Sequence, residues 1–273
     1  MTVFAAVQMT SGPDVGHNLK VAEPLIAAAA DRGAKVVLLP ENFNFLGRRD
    51  SDKRDVAETA GAGPTQDFLA AAAQRHRIVL IGGTQPLKSA AADGRVTNTC
   101  LVYDPSGACI ARYDKIHLFD VDVPEKPGES YRESAHVARG ETVVTVDTPC
   151  GRVGLSVCYD MRFPELYRRL SEAGAEILVM PAAFTVPTGR AHWEVLLRAR
   201  AIENLCYVVA AAQTGVHANG RETYGDSLIV DFWGRVLARR PRGSGVVTAA
   251  IDRAAIGRVR QEFPALANRV LHR

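Results

Sequence analysis

Apolar residues fall along this chain in short runs separated by segments with helical spacing. Val3–Gln8 and Val36–Leu39 read as buried strands. Between them, His17–Arg32 carries apolar residues at helical intervals, with Gly33 placed as its stop. Ile78–Ile81 and Thr99–Tyr103 are further strands, the second running into the turn Asp104-Pro105-Ser106-Gly107, where Pro at the second position and Gly at the fourth suit a type I turn. Val143–Val146 and Val153–Val157 precede a helix opened by Pro164, on which Leu166, Leu170 and Ala173 share a face and which Gly174 closes. Ile177–Met180 is the next strand. A longer helix over about Gly189–Asn204 sets Trp193, Leu197, Ala201 and Leu205 one turn apart. Tyr207–Ala212, Leu228–Val230 and Val246–Ile251 complete the strands.

Strands alternating with helices imply an α/β protein. Val153–Val157, the Pro164 helix and Ile177–Met180 form a βαβ unit, whose strands must be parallel. Many of the strands lack polar alternation, as expected of sheets covered on both faces. No linker, low-complexity segment or short repeat divides the sequence, and its length suits one large domain or two small ones.

Composition narrows the function classes. Hydrophobic residues make up 47% and charged residues 23% of the 273, which excludes whole-chain disorder and fibrous classes. The net charge is +3, too small and too dispersed for a nucleic-acid footprint. The longest wholly apolar stretch, Leu205–Ala212, falls far short of the roughly 20 residues of a membrane span. The N-terminal residues lack the charged and apolar blocks of a signal peptide, so a soluble, cytoplasmic protein is expected. The five cysteines (100, 109, 150, 158 and 206) include no CxxC pair and form no even disulfide framework. The seven histidines include no i, i+3 or i, i+4 pair, so no helical zinc motif is present, and no glycine-rich phosphate loop follows a strand. Neither a metal nor an organic cofactor is expected.

Three segments place reactive side chains just past an apolar run, where ligands bind in open α/β sheets. Glu41 follows Val36-Val37-Leu38-Leu39-Pro40. A carboxylate there could be desolvated toward general-base duty, or could cap a helix or pair with an arginine. Cys158 sits in the sharp turn between Val153–Val157 and the Pro164 helix. A thiol there is either a nucleophile, if a cation or base lowers its pKa, or a buried core residue. The Gly154-x-Ser156-x-Cys158 spacing is like a hydrolase nucleophile elbow but lacks the final glycine, which leaves Ser156 as an inward strand residue. Lys115, in Tyr113-Asp114-Lys115-Ile116-His117, is either a solvated surface residue or a cation for a thiolate and an oxyanion. His117 and His192 read as hydrogen-bonded structural residues rather than as bases for Cys158.

Together the LPE segment at Glu41, the YDKIHLFD segment at Lys115 and the GLSVCYDMRFPELYR segment at Cys158 resemble the Glu–Lys–Cys segments of the nitrilase superfamily of carbon–nitrogen hydrolases, in order and in context. The resemblance extends from the AVQMT start to Phe232-Trp233-Gly234. It implies a single domain over residues 1–273, a four-layer αββα sandwich, usually dimeric, that needs no cofactor and acts on a small-molecule amide. It also implies a second glutamate, which falls on Glu133. The helix from Gly189 to Glu203, the strand Tyr207–Ala212 and the PENFNFLGRRD segment are most similar to the deaminated glutathione amidase branch, although Arg190 stands where that branch is expected to carry proline.

The reaction so implied cleaves a linear, carboxylate-bearing amide to acid plus ammonia through a Cys158 thioester. Glu41 serves as the base, Lys115 and the Tyr159 backbone N–H meet the oxyanion, and Glu133 supports Lys115 or the amide. Arg48, Arg49 and Arg162 are candidate partners for the substrate carboxylate, with the segments 42–54 and 120–135 shaping the pocket. The same triad would serve an ω-amidase on α-ketoglutaramate or succinamate, or a nitrilase. A catalytically silent scaffold is the reading of another class, and the intact Glu, Lys and Cys argue against it.

Overall fold

The computed structural model describes residues 1–90, 93–123 and 130–271. Its first half winds β1 (Thr2–Gln8), α1 (Val15–Asp31), β2 (Ala34–Leu38), α2 (Pro64–His76) and β3 (Val79–Ile81) into two crossover units, so β1, β2 and β3 are parallel. β4 (Gln85–Lys88), β5 (Val96–Tyr103) and β6 (Cys109–Asp114) extend that sheet antiparallel. A small hairpin of β7 (Asp120–Asp122) and β8 (Ser130–Arg132) follows.

The second half repeats the plan. β9 (Thr145–Thr148) pairs antiparallel with β10 (Gly151–Leu155), and α3 (Pro164–Glu172) leads to β11 (Ile177–Ala182). α4 (Val186–Asn204) then leads to β12 (Tyr207–Ala212), and β10, β11 and β12 are parallel. The hairpin of β13 (Thr214–Val216) and β14 (Glu222–Tyr224) stands apart, while β15 (Ser227–Val230) and β16 (Val236–Arg240) finish the second sheet. β17 (Gly245–Ile251) returns to pair antiparallel with β1, and α5 (Arg253–Glu262) follows it.

The two sheets face each other. Phe4, Ala6, Val36 and Leu38 of the first pack with Val153, Leu155, Val179 and Val209 of the second. The alternate residues Ala5, Val7 and Val37 turn the other way, against Ala22, Ile26 and Leu69 of α1 and α2. Leu166, Leu170, Trp193 and Leu197 bring α3 and α4 against the second sheet's outer face. The layers are therefore helix, sheet, sheet, helix, and every residue of β1 from Phe4 to Gln8 is buried, which is why these strands show no polar alternation.

Element ends differ from the sequence reading for local reasons. α1 starts at Val15 because Asp14 accepts the His17 N–H at 2.7 Å as an N-cap. α4 begins at Val186, three residues before Gly189, because Pro187 sits in its first turn. Ala173 does not share the buried face of α3: it is the exposed C-cap, and Tyr167 takes the inward place beside Leu166 and Leu170.

Candidate active site

Several of the sequence's reactive residues arrive at one end of the sandwich. Glu41 lies just beyond β2, Cys158 just beyond β10, Ala183 just beyond β11, and Lys115 directly after β6. This is the carboxyl end of the parallel strands, the usual place for a ligand in such sheets.

Glu41 is held at both carboxylate oxygens and at its backbone carbonyl. Its Oε1 accepts from Lys115 Nζ at 3.0 Å and from Asn98 Nδ2 at 3.1 Å, and its Oε2 accepts from the Ala183 N–H at 2.9 Å. Gln213 Nε2 donates to its backbone carbonyl at 3.0 Å. Lys115 Nζ also donates to Glu133 Oε2 at 2.9 Å, and Glu133 accepts further from the Phe119 N–H at 2.8 Å and from Asn98 Nδ2 at 3.2 Å. Lys115 is 1% exposed and Glu41 4%, so the ammonium lies between two carboxylates largely out of water. Burial works against its charge, but Glu133 and Glu41 outweigh that and hold the lysine well above its ordinary range. Burial likewise pushes the Glu133 carboxyl up, and Lys115, with help from Lys53, pulls it down to about 2.

Cys158 opens a 3-10 turn over Cys158–Arg162 and adopts a left-handed φ of 49°, an uncommon conformation for a side chain with a Cβ. Asp160, fully buried, fixes that turn. It accepts from the Val157 N–H at 2.8 Å, the Tyr113 hydroxyl at 2.7 Å, the His117 N–H at 3.0 Å and His117 Nδ1 at 2.7 Å. One carboxylate thus ties the Cys158 turn to the residues on either side of Lys115. His117 also stacks on Phe163, with ring centroids 3.7 Å apart. Ser156 turns inward, its hydroxyl donating to Val179 O at 2.7 Å.

The Cys158 thiol is 7% exposed and lines the same pocket as the Glu41 carboxylate. Burial raises its pKa, and the Glu41 charge raises it further, by more than Lys115 lowers it. Burial and the Glu41 charge thus both favour the protonated thiol.

The pocket over Cys158 is lined, among the described residues, by Glu41, Lys115, Glu133, Tyr159, Phe119, Tyr131, Phe184, His136 and Thr188, with Asp50, Lys53, Arg162 and Arg221 also present. Phe119 meets both Tyr131 and Tyr159 at 5.1 Å, making an aromatic wall. Arg162 reaches this pocket: its guanidinium lies over the Phe184 ring at 5.5 Å and within 3.3 Å of His192 Nδ1. Arg48 and Arg49 do not line it. Both are exposed, Arg48 donating to Ala218 O at 3.3 Å and Arg49 pairing with Asp52 at 3.0 Å. Residues 124–129 of the 120–135 segment lie outside the described residues.

The sequence reading missed Asp160, Asn98, Lys53 and Arg221. Asp160 follows Cys158 by two residues, and its role depends on donors from a distant strand end, which spacing does not reveal. Asn98 lies in β5 between Thr97 and Thr99, just ahead of the apolar run that marked the strand in the sequence, so no apolar pattern singled it out.

The sequence matches the carbon–nitrogen hydrolase family over residues 4–261, and the chain belongs to that family. It is accordingly a hydrolase of carbon–nitrogen bonds. It is 48% identical to a deaminated glutathione amidase of Synechocystis sp. over 268 residues, 97% of each chain. It is 40% identical to the deaminated glutathione amidase of Yersinia enterocolitica, covering 96% of this chain and 91% of that one. Among solved structures, Saccharomyces cerevisiae Nit3, a member of the nitrilase superfamily, superposes with a TM-score of 0.86 at 32% identity, covering 96% of this chain and 94% of that one. Caenorhabditis elegans NitFhit gives 0.88 at 39% identity, covering 98% of this chain and 65% of that longer one.

Proposed function

We propose that this enzyme is a thiol amidase acting on deaminated glutathione, with Glu41, Lys115 and Cys158 as its catalytic residues. The observation that carries the reading is a buried thiol sharing one pocket with a carboxylate that holds a buried ammonium. Glu41 takes the thiol proton as Cys158 attacks the amide carbonyl. Lys115 and the Tyr159 backbone N–H receive the oxyanion, each such donor contributing roughly 3–4 kcal/mol in comparable sites. Glu41 then returns the proton to the departing nitrogen, and a water activated by Glu41 opens the thioester. Glu133 keeps Lys115 charged and in place. In deaminated glutathione the amide nitrogen belongs to a cysteinylglycine unit, so an amine leaves. Ammonia leaves only from primary amides such as α-ketoglutaramate and succinamate, and the sequence-based expectation of ammonia is revised on that chemical ground.

The test is a panel of deaminated glutathione, α-ketoglutaramate and succinamate, with the released acid quantified for wild type and Cys158→Ala. Cys158-dependent turnover highest on deaminated glutathione is expected. A preference for α-ketoglutaramate would keep the mechanism and replace the substrate by that of an ω-amidase.

The same proposal takes the enzyme as a cytoplasmic homodimer. All five cysteines are free, as suits a reducing compartment. Ile202, Trp233 and Phe263 stay exposed in one region, where Gly234 abuts Ile202 and Trp233 packs on Phe263. A second copy would cover them, and light scattering at the monomer mass would remove that part of the reading.

A further inference from the structure

We infer that Arg221 is the carboxylate anchor of this pocket and selects acyl groups that end in a carboxylate. The inference rests on the amidase reading above and adds a residue that sequence spacing did not suggest.

Arg221 stands at the end of the turn joining β13 to β14, and that turn is rigidly held. The His217 N–H donates to the Arg221 carbonyl at 2.8 Å, and Asn219 Oδ1 accepts the Arg221 N–H at 3.0 Å. The His217 ring is buried between Ser11 O and Thr223 Oγ1, each at 2.8 Å. From this base the side chain enters the pocket. Its Nη2 donates to the carbonyl of Ala183, the residue whose N–H donates to Glu41. Its guanidinium lies over the Tyr131 ring, 4.8 Å from the centroid. One arm and one face are therefore fixed within a residue of the reacting groups.

What remains is a donor with nothing to donate to: Nε of Arg221 is buried and has no hydrogen-bond partner. Among the described residues no carboxylate pairs with this guanidinium. A buried N–H without an acceptor is unfavourable, and native structures retain few of them. A planar, stacked, pre-positioned guanidinium with a free edge matches a carboxylate in geometry as well as in charge. Among the other pocket cations, Lys115 is held between two carboxylates, and Arg162 contacts His192 and two rings. Arg221 is thus the cation whose incomplete bonding a substrate carboxylate would complete, while the amide carbonyl sits at Cys158.

The experiment compares wild type, Arg221→Gln and Arg221→Lys on succinamate and on butanamide, its neutral counterpart. Loss of a charged hydrogen bond lowers the preference for the carboxylate substrate about 10- to 100-fold, through KM rather than kcat. Arg221→Lys should fall between the two, since an ammonium keeps the charge but not the fork. A second readout needs no turnover: protection of Cys158 from acrylamide alkylation by glutarate. The glutarate concentration for half-protection should rise by a similar factor in Arg221→Gln. If wild type hydrolyses no amide yet glutarate protection depends on Arg221, the amidase reading falls and the anchor stands. Equal losses on both amides, or glutarate protection unchanged in Arg221→Gln, would overturn the anchor.

Discussion

Replacing Lys115 by Met removes the ammonium that lies between two buried carboxylates and keeps most of the side-chain volume. Two routes give the cost. A Glu133 carboxyl held at about 2 instead of 4.5 is worth roughly 3 kcal/mol at about 1.4 kcal/mol per pH unit. Breaking a buried ion pair by removing one partner typically costs about 3–5 kcal/mol. The pH dependence follows in sign. In wild type the folded carboxyl sits below its unfolded value, so its stabilisation is present above pH 4.5 and is lost as pH falls toward 2. In Lys115→Met, burial acts with little opposition and lifts the same carboxyl above 4.5, so the variant loses stability as pH rises. The gap between the two proteins is therefore widest near pH 7 and narrows on acidification. Urea unfolding at pH 7 and at pH 5 measures it, and calorimetry should show a Tm lowered by about 6–12 °C at pH 7. Turnover should drop by about 100- to 1000-fold with the loss of an oxyanion donor. A stability loss below about 1 kcal/mol, or one of equal size at both pH values, would refute the reasoning, because it would mean that the cluster is solvated.

Other consequences are equally open to measurement. Because burial and Glu41 raise the Cys158 thiol, free enzyme at pH 7 should show no thiolate absorbance and slow alkylation that accelerates with pH; a full thiolate at pH 7 would reverse the proton's starting place. Asp160→Ala strands donors from Tyr113, His117 and Val157, and at about 1–3 kcal/mol for each one left dry, it should cost several kcal/mol and most of kcat. Chemical unfolding and steady-state kinetics on the same preparation check both. Gly83→Ala would put a Cβ 2.0 Å from the Pro40 carbonyl at a φ of +54°, displacing the loop that carries Glu41. Activity should fall more than global stability, and a fully active Gly83→Ala would contradict the rigidity assigned to that loop.

The central strands were legible because both of their faces are covered. Val36–Leu39, Ile177–Met180 and Tyr207–Ala212 stand out as apolar runs whatever their neighbours. The short edge and hairpin strands were not. β16 reads Val236-Leu237-Ala238-Arg239-Arg240 and is largely exposed, and β7 is Asp120-Val121-Asp122, so pairing rather than burial defines them. α2 was missed because its apolar face is mostly alanine, which gives weak periodicity although Leu69 and Ala73 are buried. Glu41, Lys115 and Cys158 drew attention from their places after strands. Arg221 did not, since an arginine after Asn219-Gly220 reads as a solvated turn residue, and its contact with Ala183 joins segments far apart in sequence. Arg48 and Arg49 illustrate the reverse: nearness to Glu41 along the chain did not bring them into the pocket.

The most direct test is to quench wild-type enzyme in acid during turnover of deaminated glutathione and map the acyl group by mass spectrometry. The account predicts a 2-oxoglutaryl thioester on the Cys158 peptide, removable by hydroxylamine. It also predicts that Cys158→Ala carries no such adduct and releases no 2-oxoglutarate. Release of 2-oxoglutarate by Cys158→Ala at the wild-type rate would contradict it.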